Sequence, residues 1–187
     1  MKKIKTLFKK DPKDLGRVIN VVDPQNEWVM TYGGIPTRKF DGTSSAIIDG
    51  DLYKRFDLKP GRKLPSIDCI PCQEADEKTG HHPHWVKCER ENPADKYHFE
   101  AFDKLLDNGS AIDGTYELLG PKVQGNPESY EDHTLVLHGS DVFDIFDFSF
   151  DGLRKFLEDT DVEGIVFHHP QDGRMCKIRK SDFGIKR

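Results

Sequence analysis

The chain has 187 residues, 35% hydrophobic and 33% charged, with a formal net charge of −5, which suits one domain or one domain with a small appendage. No apolar run approaches the ~20 residues of a membrane-spanning helix, and Met1-Lys2-Lys3-Ile4-Lys5 lacks the apolar stretch of a secretory signal. Four cysteines without an export signal fit a reducing compartment, so the expectation is a cytoplasmic monomer with free thiols and no membrane contact.

The acidic balance argues against binding nucleic acid by bulk charge, but the charges are unevenly placed. Residues 1–13 hold six lysines against one aspartate, residues 54–63 five basic residues against one acid, and residues 174–187 six against one. Between 141 and 161 seven acids face two basic residues. Three basic clusters in an acidic chain suggest a localised phosphate-binding surface; solvated lysines at both ends are the plainer explanation.

In chain order, Val18–Val22 and Glu27–Met30 read as strands separated by the turn residues Asp23-Pro24. Gly33-Gly34-Ile35-Pro36 is a breaker cluster leading into Thr37-Arg38-Lys39-Phe40-Asp41-Gly42. There a lysine near a strand end precedes a tight turn that glycine makes possible. Ser45–Ile48 and Leu52–Phe56 flank Asp49-Gly50, a strong hairpin signal. Residues 57–93 are proline-rich and predict a long irregular loop. Residues 94–107 predict a helix with Tyr97, Phe102, Leu105 and Leu106 on its apolar face and Gly109 at its stop. Thr115–Leu118 and Thr134–Leu137 are short strands, and Ser149 caps a second helix carrying Leu153, Phe156 and Leu157. Glu163–His168 and Met175–Ile178 form a strand pair turned at Gln171-Asp172-Gly173. Many strands and two helices predict an α+β fold, with no internal repeat and no low-complexity segment.

Four pieces carry chemistry. Lys39 is a candidate nitrogen nucleophile, although Lys-x-Asp-Gly alone reads as a solvated lysine before an ordinary turn. Tyr116-Glu117-Leu118 and Glu163-Gly164-Ile165 each set a carboxylate beside apolar neighbours, and Lys177 and Arg179, two apart, share one strand face. Each can also be an edge-strand charge facing water. Nucleophile, carboxylate, carboxylate and paired cations form the inventory that moves a nucleotidyl group through a lysine.

With these motifs in this order, the chain resembles the lysine-dependent nucleotidyltransferase superfamily of polynucleotide ligases and mRNA capping enzymes. Within it the chain is most similar to the compact ATP-dependent 5′–3′ RNA ligase family. The resemblance is carried by Lys39-Phe40-Asp41-Gly42, residues 116–127, Leu137-His138-Gly139, residues 163–168 and Cys176-Lys177-Ile178, and spans about Trp28 to Gly184. It implies a single ligase-type adenylyltransferase (ATP-grasp-like) domain over 1–187 of antiparallel sheets with flanking helices. Residues 1–26 would be an N-terminal segment and 57–93 an insertion. With ten residues after Lys177, no OB-fold domain is expected, which counts against the capping and DNA-ligase alternatives.

The resemblance also implies a reaction. Lys39 attacks the α-phosphorus of ATP and becomes a lysyl-AMP, the AMP passes to an RNA 5′-phosphate, and an RNA 3′-hydroxyl displaces it to seal the strand. Lys177 and Arg179 would stabilise phosphate charge and depress the Lys39 pKa, with Lys180 an alternative to Arg179. Glu163 is the first choice for Mg²⁺ (or Mn²⁺) and Glu117 the second, the latter also a candidate for the ribose. Thr37 and Arg38 would lie near the adenine edge through backbone contacts. Asp41 and Gly42 would support the lysine or nucleotide, and Arg55 would contact phosphate or ribose. Lys54, Lys59, Arg62 and Lys63 could receive the RNA 5′ end. Phe143 or Phe146 could stack on adenine, with core packing as the competing role. His138 could contact a phosphate or occupy a turn.

Cys69-Ile70-Pro71-Cys72 with His81, His82, His84 and Cys88 offers half a zinc site, lacking a second pair with tidy spacing. A non-catalytic RNA- or zinc-binding module on the same fold is therefore the alternative from another class.

Overall fold

The structure, a computed structural model, describes residues 4–65, 68–77 and 79–187. Lys2 and Lys3 of the N-terminal basic cluster lie outside the described residues. In chain order the elements are β1 (Lys5–Thr6), β2 (Phe8–Asp11), β3 (Asp14–Val22), α1 (Trp28–Tyr32), β4 (Ile35–Lys39), β5 (Thr43–Ile48), β6 (Asp51–Leu58), β7 (Cys69–Pro71), β8 (His82–Lys87), α2 (Lys96–Asp107), β9 (Gly114–Leu119), β10 (Thr134–Leu137), α3 (Phe150–Asp159), β11 (Gly164–His168), β12 (Met175–Arg179) and α4 (Lys180–Phe183). The fold is mixed α+β, with several antiparallel sheets and few helices. Among the described residues no helix is long and apolar enough to cross a membrane.

The described residues form two compact units, one of Asp41–His138 and one of Ile4–Phe40 with Gly139–Arg187. The first holds a six-stranded antiparallel sheet ordered β10-β9-β5-β6-β8-β7. The expected Asp-Gly hairpin joins β5 to β6: Asp49 and Gly50 have φ of 52° and 78°. Asp113 accepts from both of their backbone N–H groups, at 2.9 and 3.1 Å, which ties the turn to the strand beside it. Helix α2 packs Ala101 and Phe102 against Ile47, Leu52, Tyr116, Leu118 and Leu135. Leu106, expected on that apolar face, is instead exposed, because the buried face runs through His98, Ala101 and Phe102.

Residues 57–93 are more regular than expected. β8 pairs with β6 from Tyr53↔Lys87 to Leu58↔His82 and buries Trp85 and Val86. Its His-Pro-His start has little strand propensity, so pairing and burial supply what local preference lacks.

The second unit holds a four-stranded sheet ordered β1-β12-β11-β4, with β1 parallel to β12 and the other pairs antiparallel, plus the β2-β3 ribbon. One sheet face buries Ile165, Phe167, Cys176 and Ile178 completely, against Leu153 and Leu157 of α3. Ser149 caps α3 as expected, accepting from the Gly152 N–H at 3.1 Å.

The expected strand at Glu27–Met30 is a helix. Asp23 accepts from Gln25 N–H and starts a Pro24–Asn26 turn, and Gly33 at φ 70° ends the helix. The two stops leave room for little more than one helical turn, which buries Trp28 and Val29. Pro36 is inside β4, tolerated because β4 is the edge strand of its sheet.

Candidate functional site

In the second unit, strand register gathers several candidate residues on one face. Lys39 on β4 is opposite Gly164 on β11, which is opposite Arg179 on β12. The next row on the same face is Thr37, Val166 and Lys177, since residues two apart share a face. The alternation that buries Cys176 and Ile178 therefore presents Lys177 and Arg179 together, as their spacing predicted. Gly164 is required between the cations: a Cβ there would lie 2.4 Å from Ile178 O and 2.9 Å from Arg179 Cα. The small residue lets β12 come close and leaves the middle of the row bare.

Lys39 Nζ contacts Glu163 Oε2 and also donates to Phe40 O at 3.3 Å. The Glu163 backbone is anchored in turn, its carbonyl accepting from Lys180 N–H at 3.0 Å. Lys177 lies among Lys39, Arg179, Glu163 and Asp182. Burial first, then the Lys39 and Arg179 charges, pull its ammonium down to about 8, against the two carboxylates. Lys177 is thus a cation held where a cation is disfavoured.

Arg179 is differently placed. Its Nε and Nη2 donate to Asp182 at 3.2 and 3.1 Å, and its backbone N–H donates to Asp182 Oδ2 at 3.0 Å. These bonds hold the guanidinium above its ordinary pKa. Burial opposes the charge on Asp182, but hydrogen bonds from Arg179 and Lys10 outweigh it and keep the carboxyl below the usual range. Of the two cations, Lys177 has the greater freedom to meet an anion. The Asp182 contact was not anticipated from sequence; Arg-x-x-Asp at a helix start was the available signal.

Thr37 is buried, its Oγ1 donating to Val166 O at 3.1 Å and lying 3.0 Å from His168 Nε2. Arg38 donates its backbone N–H to Asp141 O at 2.8 Å, and its guanidinium lies 5.0 Å from the Phe40 ring centre. The backbone of this stretch, expected to meet adenine, is thus engaged with residues 141–143. Phe143 packs edge-to-face on Phe156 at 5.1 Å, as part of the core. Phe146 is 90% exposed.

Within the first unit, Glu117 is fixed from two sides. Oε1 accepts from Gly42 N–H at 3.1 Å and Oε2 lies 2.9 Å from His138 Nε2. His138 Nδ1 is 3.0 Å from Thr115 Oγ1. His138 occupies a turn, one of the two roles weighed for it, and from there its ring clamps Glu117. Asp41 donates its backbone N–H to Glu128 Oε1 at 3.0 Å, a partner no spacing rule suggested. Gly42, expected to make a tight turn possible, sits at a bend and has no left-handed backbone. It is needed because a Cβ would lie 2.3 Å from Leu118 O and 2.6 Å from Leu119 Cδ2.

Arg55 lies on β6 with Nε 3.2 Å from Asp57 Oδ1. Lys54, expected to receive an RNA end, instead pairs with the buried Asp95. Lys59, Arg62 and Lys63 are exposed. Among the described residues, Cys69, Cys72, His81, His82 and His84 do not converge as metal ligands, whereas Cys88 falls in a group with Asp95 and His98. No model of a known protein family matches the chain, and no curated protein matches it in sequence.

Proposed function

We propose that the chain is a lysine-dependent nucleotidyltransferase, and specifically an ATP-dependent RNA ligase with a ligase-type adenylyltransferase fold. The observation that carries this reading is the face on which Lys39 of β4 and Lys177 and Arg179 of β12 come together, with Glu163, the residue before β11, in contact with Lys39 Nζ. In the first step Lys39 Nζ, attacking as the neutral amine, bonds to the α-phosphorus of ATP, the bond to pyrophosphate breaks, and the proton then left on the nitrogen passes to Glu163 or to solvent. Glu163, in contact with Nζ, holds the nucleophile in place before attack. Lys177 meets negative charge growing on the phosphate, in a setting where burial strengthens the attraction. Arg179, steadied by Asp182, adds a second fixed positive charge.

The donor set suits Mg²⁺, which takes oxygen ligands and needs one or two carboxylates. Glu163 would hold it there, and it would supply Lewis-acid polarisation of phosphate oxygens. Glu117 enters the reading as a carboxylate already fixed by Gly42 and His138, suited to a ribose hydroxyl or to a metal. The AMP then passes to an RNA 5′-phosphate, and a 3′-hydroxyl displaces it.

The test is covalent labelling. The protein is incubated with α-labelled ATP or GTP and Mg²⁺, denatured, and examined for retained label. Label from ATP that is absent in Lys39→Ala supports the reading, and label from GTP moves it to the capping class. No label from either nucleotide refutes it.

A further inference from the structure

Cys88, Asp95 and His98 have no part in the chemistry above, and they meet inside the unit of residues 41–138. One donor atom from each lies within 4.8 Å of the others, so side-chain shifts of about 1 Å bring them to the roughly 3.3–3.8 Å that separates ligands on one tetrahedral ion with bonds of about 2.0–2.3 Å. Local sequence makes the meeting. Cys88 follows β8, Asn92 caps the Pro93–Asp95 turn, and Asp95 and His98 stand three apart where α2 begins, hence on one side of the helix. All three are buried, with exposures of 5%, 0% and 7%.

His98 is what separates this group from an ordinary polar core. Neither of its ring nitrogens has a hydrogen-bond partner, and leaving a buried polar group unpaired is destabilising. The neighbouring carboxylate, by contrast, is well supported. Asp95 accepts from Lys54 Nζ and, at 3.1 Å, from Glu89 N–H. A carboxylate has about four acceptor positions, so Asp95 retains capacity for a further bond.

We propose that Cys88, Asp95 and His98 form a buried structural site for a divalent cation of the zinc class. A sulfur, a nitrogen and an oxygen donor suit a borderline-soft ion, whereas Mg²⁺ would choose oxygens. Lys54 and the Glu89 N–H then serve as outer partners that aim the ligating carboxylate. Burial, and then the Asp95 charge, push the Cys88 thiol up to about 12. Burial pulls His98 down to about 4, so its ring is neutral and ready to ligate. Binding forms bonds to Sγ, to one ring nitrogen and to one carboxylate oxygen. The thiol proton leaves to solvent, and nothing is oxidised or reduced. The ion would tie the end of β8 to the start of α2, and its binding would add to folding stability.

The full chain is purified without chelator for metal analysis, then stripped and titrated with Co²⁺ and with Zn²⁺. Expected are bound zinc, a thiolate-to-cobalt band in the near ultraviolet, and a Tm raised by Zn²⁺. The band should vanish in Cys88→Ser and persist in the Cys69→Ser, Cys72→Ser double variant. Should Cys88→Ser not fold, X-ray absorption at the zinc edge of the unsubstituted protein reads the shell directly. A single sulfur with nitrogen and oxygen neighbours is expected. A shell with two sulfurs, a shell with none, a band that survives Cys88→Ser, or no binding overturns the proposal. None of these readouts depends on lysine labelling.

Discussion

Replacing Lys177 by methionine removes a charge from a place that disfavours it. Burial first, then Lys39 and Arg179, bring its pKa from 10.5 to about 8. A lowered lysine pKa means that between pH 8 and 10.5 the unfolded chain binds more protons than the folded one, so stability rises with pH across that window. Below pH 8 the whole penalty is present. The gap between 10.5 and about 8, at about 1.36 kcal/mol per pH unit, amounts to about 3 kcal/mol. Methionine keeps the unbranched apolar stem and carries no charge. Lys177→Met is therefore expected to stabilise the protein by about 1–3 kcal/mol at pH 7, the lower figure allowing for solvent screening. For a chain of this length each kcal/mol corresponds to about 2–4 °C in Tm. The gain should shrink between pH 8 and 10.5 as the wild-type ammonium loses its proton. Urea unfolding of both proteins at pH 7, 8.5 and 10, with chelator present, reads the effect. A variant less stable than its parent at pH 7, or a difference that does not change with pH, refutes the reasoning. If the proposed function holds, the stabilised variant also loses lysine labelling, a trade of stability against activity.

Two further substitutions test other parts of the architecture. Gly42→Ala places a Cβ 2.3 Å from Leu118 O and should cost about 1–3 kcal/mol by overpacking; urea unfolding within 0.5 kcal/mol of the parent would sink the close-approach explanation. Asp182→Asn removes a fully buried carboxylate that Arg179 and Lys10 share and should cost about 2–4 kcal/mol at pH 7. Because the Asp182 pKa is lowered in the folded state, this contribution is present above pH 4 and lost as pH falls through the folded value. Unfolding curves of the two proteins should therefore converge in acid, and a gap that stays constant to pH 2 contradicts the assignment.

Local rules are strongest where a few adjacent residues decide the outcome. Asp49-Gly50 makes its hairpin because both residues accept positive φ, and Ser149 caps α3 because a hydroxyl reaches an N–H three residues on. They fail where distant partners decide. The helix at Trp28 and Val29 is the exception, since strand propensity is overridden there by near neighbours, a proline turn and a left-handed glycine. β8 begins with His-Pro-His and is a strand because β6 and β7 pair with it.

The candidate site divides along the same line. Residue type and period-two alternation were enough to place Lys39 at a strand end and to put Lys177 and Arg179 on one face. Which carboxylate meets which cation was settled by pairings across more than a hundred residues, Lys39 with Glu163 and Lys10 with Asp182. The glycines show the difference most clearly. Gly42 was legible as necessary, but its reason is the approach of Leu118 and not a turn, and the need for Gly164 is visible only once β12 lies beside it. Sequence alone determines charge, alternation and local caps, because these act over a few residues. Register and close approach come from packing between segments far apart in the chain, so only the tertiary structure decides them.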